Sequence, residues 1–209
     1  LADFNNGEIL NGARYCMKFL MMSILTLFFS CAYAASEKAI LAGGCFWCLE
    51  PPLEALPGVI SVVSGYSGGR TLGPSYQEVS SGTTGHIEVV EVTFDNGQIS
   101  FEKILEVFWQ NIDPLDAAGQ FCDKGEQYTS GIFYASAAQQ AVAEKSLAAH
   151  AASVRFKGKK IATFLRPAAI FYTAEDYHQD YNKKNPVRYK LYRYNCGRDK
   201  RLEEVWGKK

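Results

Sequence analysis

The sequence predicts an α+β fold, with helices covering one face of a mainly antiparallel sheet. Three observations carry that expectation. β-Branched runs such as Val59–Val63 ("VISVV") and His86–Phe94 ("HIEVVEVTF") read as strands. Phe101–Asn111 sets Ile104, Leu105, Phe108 and Trp109 on one helical stripe, and Ala137–Ala152 is an Ala-rich helix. The central elements follow the order β-α-β-β-α-β, the split arrangement of a ferredoxin-like core.

The elements follow in chain order. Ala39–Leu41 is a short apolar strand running into the Gly43-Gly44 turn. Leu49–Leu56 reads as a helix, with Pro51 and Pro52 tolerable only in its first turn. After the strand Val59–Val63, Ser64–Gly85 is rich in Gly, Ser and Thr and reads as a long loop. Strand His86–Phe94, helix Phe101–Asn111, loop Asp113–Gln127, strand Tyr128–Tyr134 and helix Ala137–Ala152 come next. Ile161–Tyr172 is extended and broken at Pro167, and Ala174–Tyr181 is a short helix. Asn182–Lys209 is a polar, irregular C-terminal tail apart from a short final helix.

The first residues stand apart from the fold. From Met17 the chain reads "MKFLMMSILTLFFSCAYAAS": Lys18 is charged, Phe19–Phe29 is apolar, and Ala32-Tyr33-Ala34 is a small-x-small cleavage site. Residues 17–34 therefore have the layout of a secretory signal peptide. The apolar run is shorter than the roughly 20 residues of a spanning helix. Residues 1–16 read as an upstream extension, and Cys31 has a poor lead-in for lipid modification. Residues 35–209 are expected to form one domain in an oxidising compartment, periplasmic or extracellular, where disulfides persist.

Composition bounds the function. Of the 209 residues, 47% are apolar and 21% charged, enough for a sizeable core. Lys+Arg and Asp+Glu both number 22, so nothing points to a nucleic-acid surface. The four cysteines downstream of the leader, Cys45, Cys48, Cys122 and Cys196, allow three pairings, and the sequence does not choose among them. Metal is not expected: Cys122 and Cys196 are isolated along the chain, the three histidines do not pair as ligands, and a zinc site needs about four ligands. No cofactor is indicated.

Chemistry concentrates at "GGCFWCLE", Gly43–Glu50. Cys45 falls where a glycine turn enters a helix, and unpaired N–H groups there would stabilise a thiolate and lower its pKa. The plainer alternative is a buried, inert cysteine. Glu88 lies in phase with Val90, Val92 and Phe94, so burial would raise its pKa and favour a proton-donating form. Tyr76 and Tyr128 offer O–H donors, and Asp123 precedes Gly125 as either a turn residue or a site carboxylate.

Five blocks, "GGCFWCLE", "GYSGG", "SYQEVSSGTTGHIEVVEVTFD", "FCDKGEQYTSGIFY" and "EDYHQDY", together resemble the methionine sulfoxide reductase A family, peptide-methionine (S)-S-oxide reductases. The resemblance runs from about Ala39 to Tyr181. It implies a two-layer α/β sandwich and thiol-dependent reduction of methionine S-sulfoxide, free or in proteins, as repair of oxidative damage. By the same match, Cys45 is the nucleophile and becomes a sulfenic acid. Phe46 and Trp47 hold the substrate methyl, Glu88 is the acid, Tyr76 and Tyr128 bind the sulfoxide oxygen, and Asp123 helps bind substrate. A thioredoxin-like dithiol protein is implied as reductant, and a monomer is expected.

The chain departs from the common family pattern in places. Many members carry glycine at the position of Cys48, and many have a longer glycine-rich tail around their resolving cysteines. Two resolving thiols are therefore open. Cys48 is near in sequence, but helical geometry limits its reach. Cys196 is favoured, in a tail expected to be free to swing toward Cys45. Cys122 has no assigned role. The competing functional reading is a general thiol–disulfide oxidoreductase using Cys45 and Cys48.

Overall fold

Six strands make one sheet in the computed structural model, which describes residues 36–208. Residues 1–16 and 17–34, read from the sequence as an upstream extension and a signal peptide, and Cys31 among them, lie outside the described residues. In chain order the elements are β1 (Ser36–Gly43), α1 (Phe46–Glu54), β2 (Val59–Ser67), α2 (Tyr76–Ser80), β3 (Ile87–Asp95) and α3 (Phe101–Trp109). Then come β4 (Gly119–Gln120), β5 (Asp123–Lys124), a 3₁₀ turn at Glu126–Tyr128, β6 (Ser130–Tyr134), α4 (Ala137–Ala152), β7 (Phe164–Pro167) and β8 (Tyr172–Thr173). The chain ends in α5 (Tyr181–Lys184), α6 (Pro186–Asn195) and α7 (Arg198–Trp206).

The spatial order of the main sheet is β7-β6-β1-β3-β2-β8. Every pairing in it is antiparallel except β6 with β7. Alternation along each strand divides the apolar side chains between two faces. Ala39, Leu41, Val62, Val90, Val92 and Phe94 meet Leu49, Leu53, Ile104, Leu105 and Phe108 from α1 and α3 to form the main core. Ile40, Ala42, Val89 and Phe133 build a smaller cluster on the opposite face, against Phe164 and Phe171. The fold is thus mixed α/β on a mainly antiparallel sheet.

Several local expectations change. α1 begins at Phe46, three residues before the expected start, so Pro51 and Pro52 lie in its second turn. The cause is a tertiary anchor: the Phe46 N–H donates to Glu88 Oε2 at 3.2 Å, and the Cys48 N–H closes on the Cys45 carbonyl at 3.0 Å. The expected loop Ser64–Gly85 contains α2, started by a capping box in which Ser75 and Glu78 satisfy each other's backbone N–H groups. That S-x-x-E signal was present in the sequence.

Ala174–Tyr181 is not a helix but a run of turns. Gln179 ties the segment to β2, accepting from the Ser64 N–H and donating to the Ser64 and Ala174 carbonyls, each at 2.9 Å. Asp180 follows in the left-handed region, at φ 54°. The tail expected to be irregular is mostly helical. It docks through polar anchors: buried Arg198 donates to the carbonyls of Asn111 (2.6 Å) and Gly43 (3.3 Å), and the Trp206 indole to that of Ile112 (2.8 Å). A helix held this way shows no strong apolar stripe in sequence.

Candidate active site

The end of β1 delivers Cys45 to a small pocket. Gly44 turns the chain at φ +76°, and a Cβ there would come within 2.5 Å of the Gln120 side chain, so only glycine fits. Cys45 caps α1 and is 7% exposed. Its sulfur shares a cavity of about 70 Å³ with Phe46 and Trp47 of α1, Tyr76 at the start of α2, Glu88 of β3, Asp123 of β5, Tyr128 of the 3₁₀ turn, and Tyr192 of α6. Drug-sized pockets run to roughly 300–1,000 Å³. This one has room for the end of a single side chain.

The sequence named all of these residues except Tyr192, and the fold brings them together from five separate elements. Tyr192 donates its hydroxyl to Asp123 Oδ2 at 2.5 Å. The aromatic wall is also fixed by residues the sequence left without roles. The Trp47 indole N–H donates to His178 Nδ1 at 3.0 Å, which puts the histidine proton on Nε2. Trp47 stacks on Tyr181, with ring centroids 3.6 Å apart and planes within 4°, and Tyr192 meets it edge-on at 5.8 Å. His178 also packs against Phe46 at 5.0 Å and Tyr76 at 4.5 Å. The "EDYHQDY" block contained this signal, a histidine and a tyrosine three apart among aromatics.

Burial sets the protonation states. Glu88 is 2% exposed, and desolvation pushes its carboxyl up to about 8, against the opposing Phe46 N–H bond. The nearby Asp123 and Cys48 raise it further. Glu88 is therefore mostly protonated at neutral pH, with one oxygen accepting from the backbone and an O–H free to donate. Burial likewise raises Tyr76 and Tyr128 and keeps their hydroxyls as donors.

The expected lowering of the Cys45 pKa is not found. Burial raises it well above the usual thiol value, and the contact with Cys48 and the Glu88 charge add to the rise. Nothing at the helix start offsets the burial: the Phe46 N–H is given to Glu88, and the Cys45 side chain makes no capping bond. Cys48 moves the other way. It is lowered chiefly by its contact with Cys45, against desolvation, with help from the charges of Arg198 and Arg193. The proton of the pair thus resides mainly on Cys45.

Cys196, favoured by sequence as the partner of Cys45, is bonded instead to Cys122, while Cys45 and Cys48 are free thiols. The tail is a docked helical segment, not a swinging arm, and its helices bring Cys196 to β5. Cys122, Asp123 and Cys196, isolated along the chain, meet here with ligand-type atoms within 4.8 Å of one another. Two of the three are disulfide sulfurs and hold no thiolate for a metal.

A free thiol, a protonated carboxylic acid and two hydroxyls around an apolar box define a thiol-based reductase of a small polar group attached to an apolar one. Comparison with known proteins agrees. The family described as peptide methionine sulfoxide reductase matches residues 37–209. The peptide methionine sulfoxide reductase MsrA of Listeria innocua is 51% identical over 170 residues, covering 81% of this chain and 96% of that protein. Reduced Mxr1 from Saccharomyces cerevisiae superposes with a TM-score of 0.68 at 31% identity, covering 74% of this chain and 88% of that one. Methionine sulfoxide reductase A of Corynebacterium diphtheriae gives 0.66 at 33% identity, covering 73% and 76%. The chain belongs to the peptide methionine sulfoxide reductase family. It is an oxidoreductase that reduces methionine sulfoxide by thiol chemistry, and this reading displaces the general thiol–disulfide exchanger.

Proposed function

We propose that the substrate is the S-sulfoxide of methionine, free or in oxidised proteins, and that the groups around the 70 Å³ cavity divide the work as follows. Phe46 and Trp47 receive the methyl group, while Glu88, Tyr76 and Tyr128 receive the oxygen. Asp123, held by Tyr192, binds on the rim. Cys45 attacks the sulfoxide sulfur as Glu88 donates its proton to the oxygen, which turns a poor leaving group into a good one. The net step moves the oxygen to Cys45: the substrate sulfur is reduced by two electrons and Cys45 is oxidised to the sulfenic acid.

Cys48 then condenses with the sulfenic acid, releasing water and forming a Cys45–Cys48 disulfide. What supports Cys48 over Cys196 in this step is its contact with Cys45 and its lowered pKa, set against the engagement of Cys196 with Cys122. An external dithiol, a thioredoxin-like protein, returns the bridge to two thiols. One chain supplies every group in the sulfoxide-reducing and resolving steps, so these steps call for neither a second subunit nor a metal. The leader-like stretch 17–34 supports export to the periplasm or beyond, and N-terminal sequencing of the native protein should find a start near Ala35.

The observation that carries the mechanism is the buried, protonated Glu88 beside Cys45. Glu88→Gln keeps the shape but removes the acid, and single-turnover sulfoxide reduction should slow by roughly 10²–10⁴-fold. Alkylation of Cys45 by a simple reagent should change far less. Unchanged single-turnover reduction would remove Glu88 from the acid role.

A further inference from the structure

The two residues on the rim of the cavity, Asp123 and Tyr192, sit on weakly held elements. β5 has two residues and pairs only with the two of β4. No side chain of α6 is fully buried, so this helix gains little from core packing. Elements with so few buried contacts open at low cost. Yet both must stay in place for the Tyr192 hydroxyl to reach Asp123 and for the Tyr192 ring to meet Trp47. The disulfide joins these same two elements. Cys122 immediately precedes Asp123, and Cys196 caps α6 one helical turn beyond Tyr192, on the same face. The Cys122 N–H also donates to the Cys196 sulfur at 3.2 Å.

We propose that the Cys122–Cys196 disulfide is a clamp that positions Tyr192 and Asp123 on the rim of the substrate pocket and lies outside the catalytic electron path. The inference rests on reading that pocket as the methionine sulfoxide site. It makes Cys122 and Cys196 positioning residues, since neither lines the catalytic cavity.

The test uses enzyme with Cys45 and Cys48 reduced and the clamp closed. Formation of the methionine peptide from a sulfoxide peptide in the first turnover is followed without added reductant, at varied peptide concentration. Cys122→Ala, Cys196→Ala and the double variant should behave alike, because either change opens the clamp. In all three the half-saturating peptide concentration should rise by roughly tenfold, as for modest misplacement of a binding group. One methionine per enzyme and a Cys45–Cys48 bridge should still form.

Tyr192→Phe should weaken the clamped enzyme and add little to the unclamped one, since coupled groups are not additive. Amide hydrogen exchange across residues 186–195 should quicken in each cysteine variant. Three results would overturn the clamp: a Cys196→Ala variant whose rate or disulfide product differs from that of Cys122→Ala, an equal cost of Tyr192→Phe in both backgrounds, or unaltered exchange in α6. If the unsubstituted enzyme forms no reduced peptide at all, the functional reading fails instead.

Discussion

Two cysteine pairs of this chain occupy opposite environments. Cys45 and Cys48 are buried at the start of α1, at 7% and 1% exposure, and remain free. Cys122 is exposed and bonded to the partly exposed Cys196. The pairs also differ in how they are brought together. The buried pair is three residues apart in sequence at one helix start, whereas the surface pair is 74 residues apart and meets only when α6 docks. Spacing along the chain thus suits the first pair to a bond made and broken in every cycle, and the second to fixing tertiary structure.

The comparison is most sharply tested at the buried pair. Cys45→Ser should abolish methionine formation under every reductant while leaving the circular dichroism spectrum unchanged. Substantial turnover by that variant would move the chemistry to another thiol.

Next in size is the pH dependence of kcat/KM. Glu88 acts in its protonated form, and its pKa lies near 8. The acid is present below that value and lost above it. The Cys45 thiol, raised by burial, favours higher pH for its thiolate. Activity should therefore show a falling alkaline limb near pH 8 that disappears in Glu88→Gln. A limb that persists in the variant belongs to another group.

Cys48→Ser should still yield one methionine per enzyme in the first turnover. Its Cys45 sulfenic acid should then persist long enough to label with a sulfenic-acid-selective probe, and turnover with a thioredoxin-like protein should collapse. Full protein-dithiol turnover by Cys48→Ser would reassign the resolving step.

The smallest catalytic change is expected at the surface pair. Opening it frees a 74-residue separation in the unfolded chain; disulfides typically contribute about 2–4 kcal/mol, and chain entropy alone puts a loop of this size at the top of that range, about 4 kcal/mol. Urea unfolding of Cys122→Ala should show a loss of that order, with the methionine yield of the first turnover intact. If the opposite is found, stability unchanged and yield lost, the two pairs have exchanged roles.

Much of this molecule was legible in its sequence because local chemistry and alternation carry the information. The strand phase of Glu88 with Val90, Val92 and Phe94 predicted a buried carboxyl, and all four share the packed face of β3. The apolar stripe of α3 and the Ala-rich run of α4 placed those helices, the latter at the residues expected. The Gly-Gly turn placed Cys45 at a helix start.

Tertiary structure alone decided the rest. The rise of the Cys45 pKa came chiefly from burial, which depends on how distant elements pack around it, and the Phe46 N–H at the same helix start goes to Glu88, 42 residues away. The start of α1 followed from the same bond. The helical tail had no stripe to announce it because Arg198 and Trp206 dock through distant backbone carbonyls. Tyr192 and His178 entered the site only because α6 and the 176–180 turns pack against α1. The pairing of Cys122 with Cys196 was open for the same reason. Four cysteines along a chain specify three pairings equally well, and only the packing of α6 against β5 brings those two sulfurs to bonding distance.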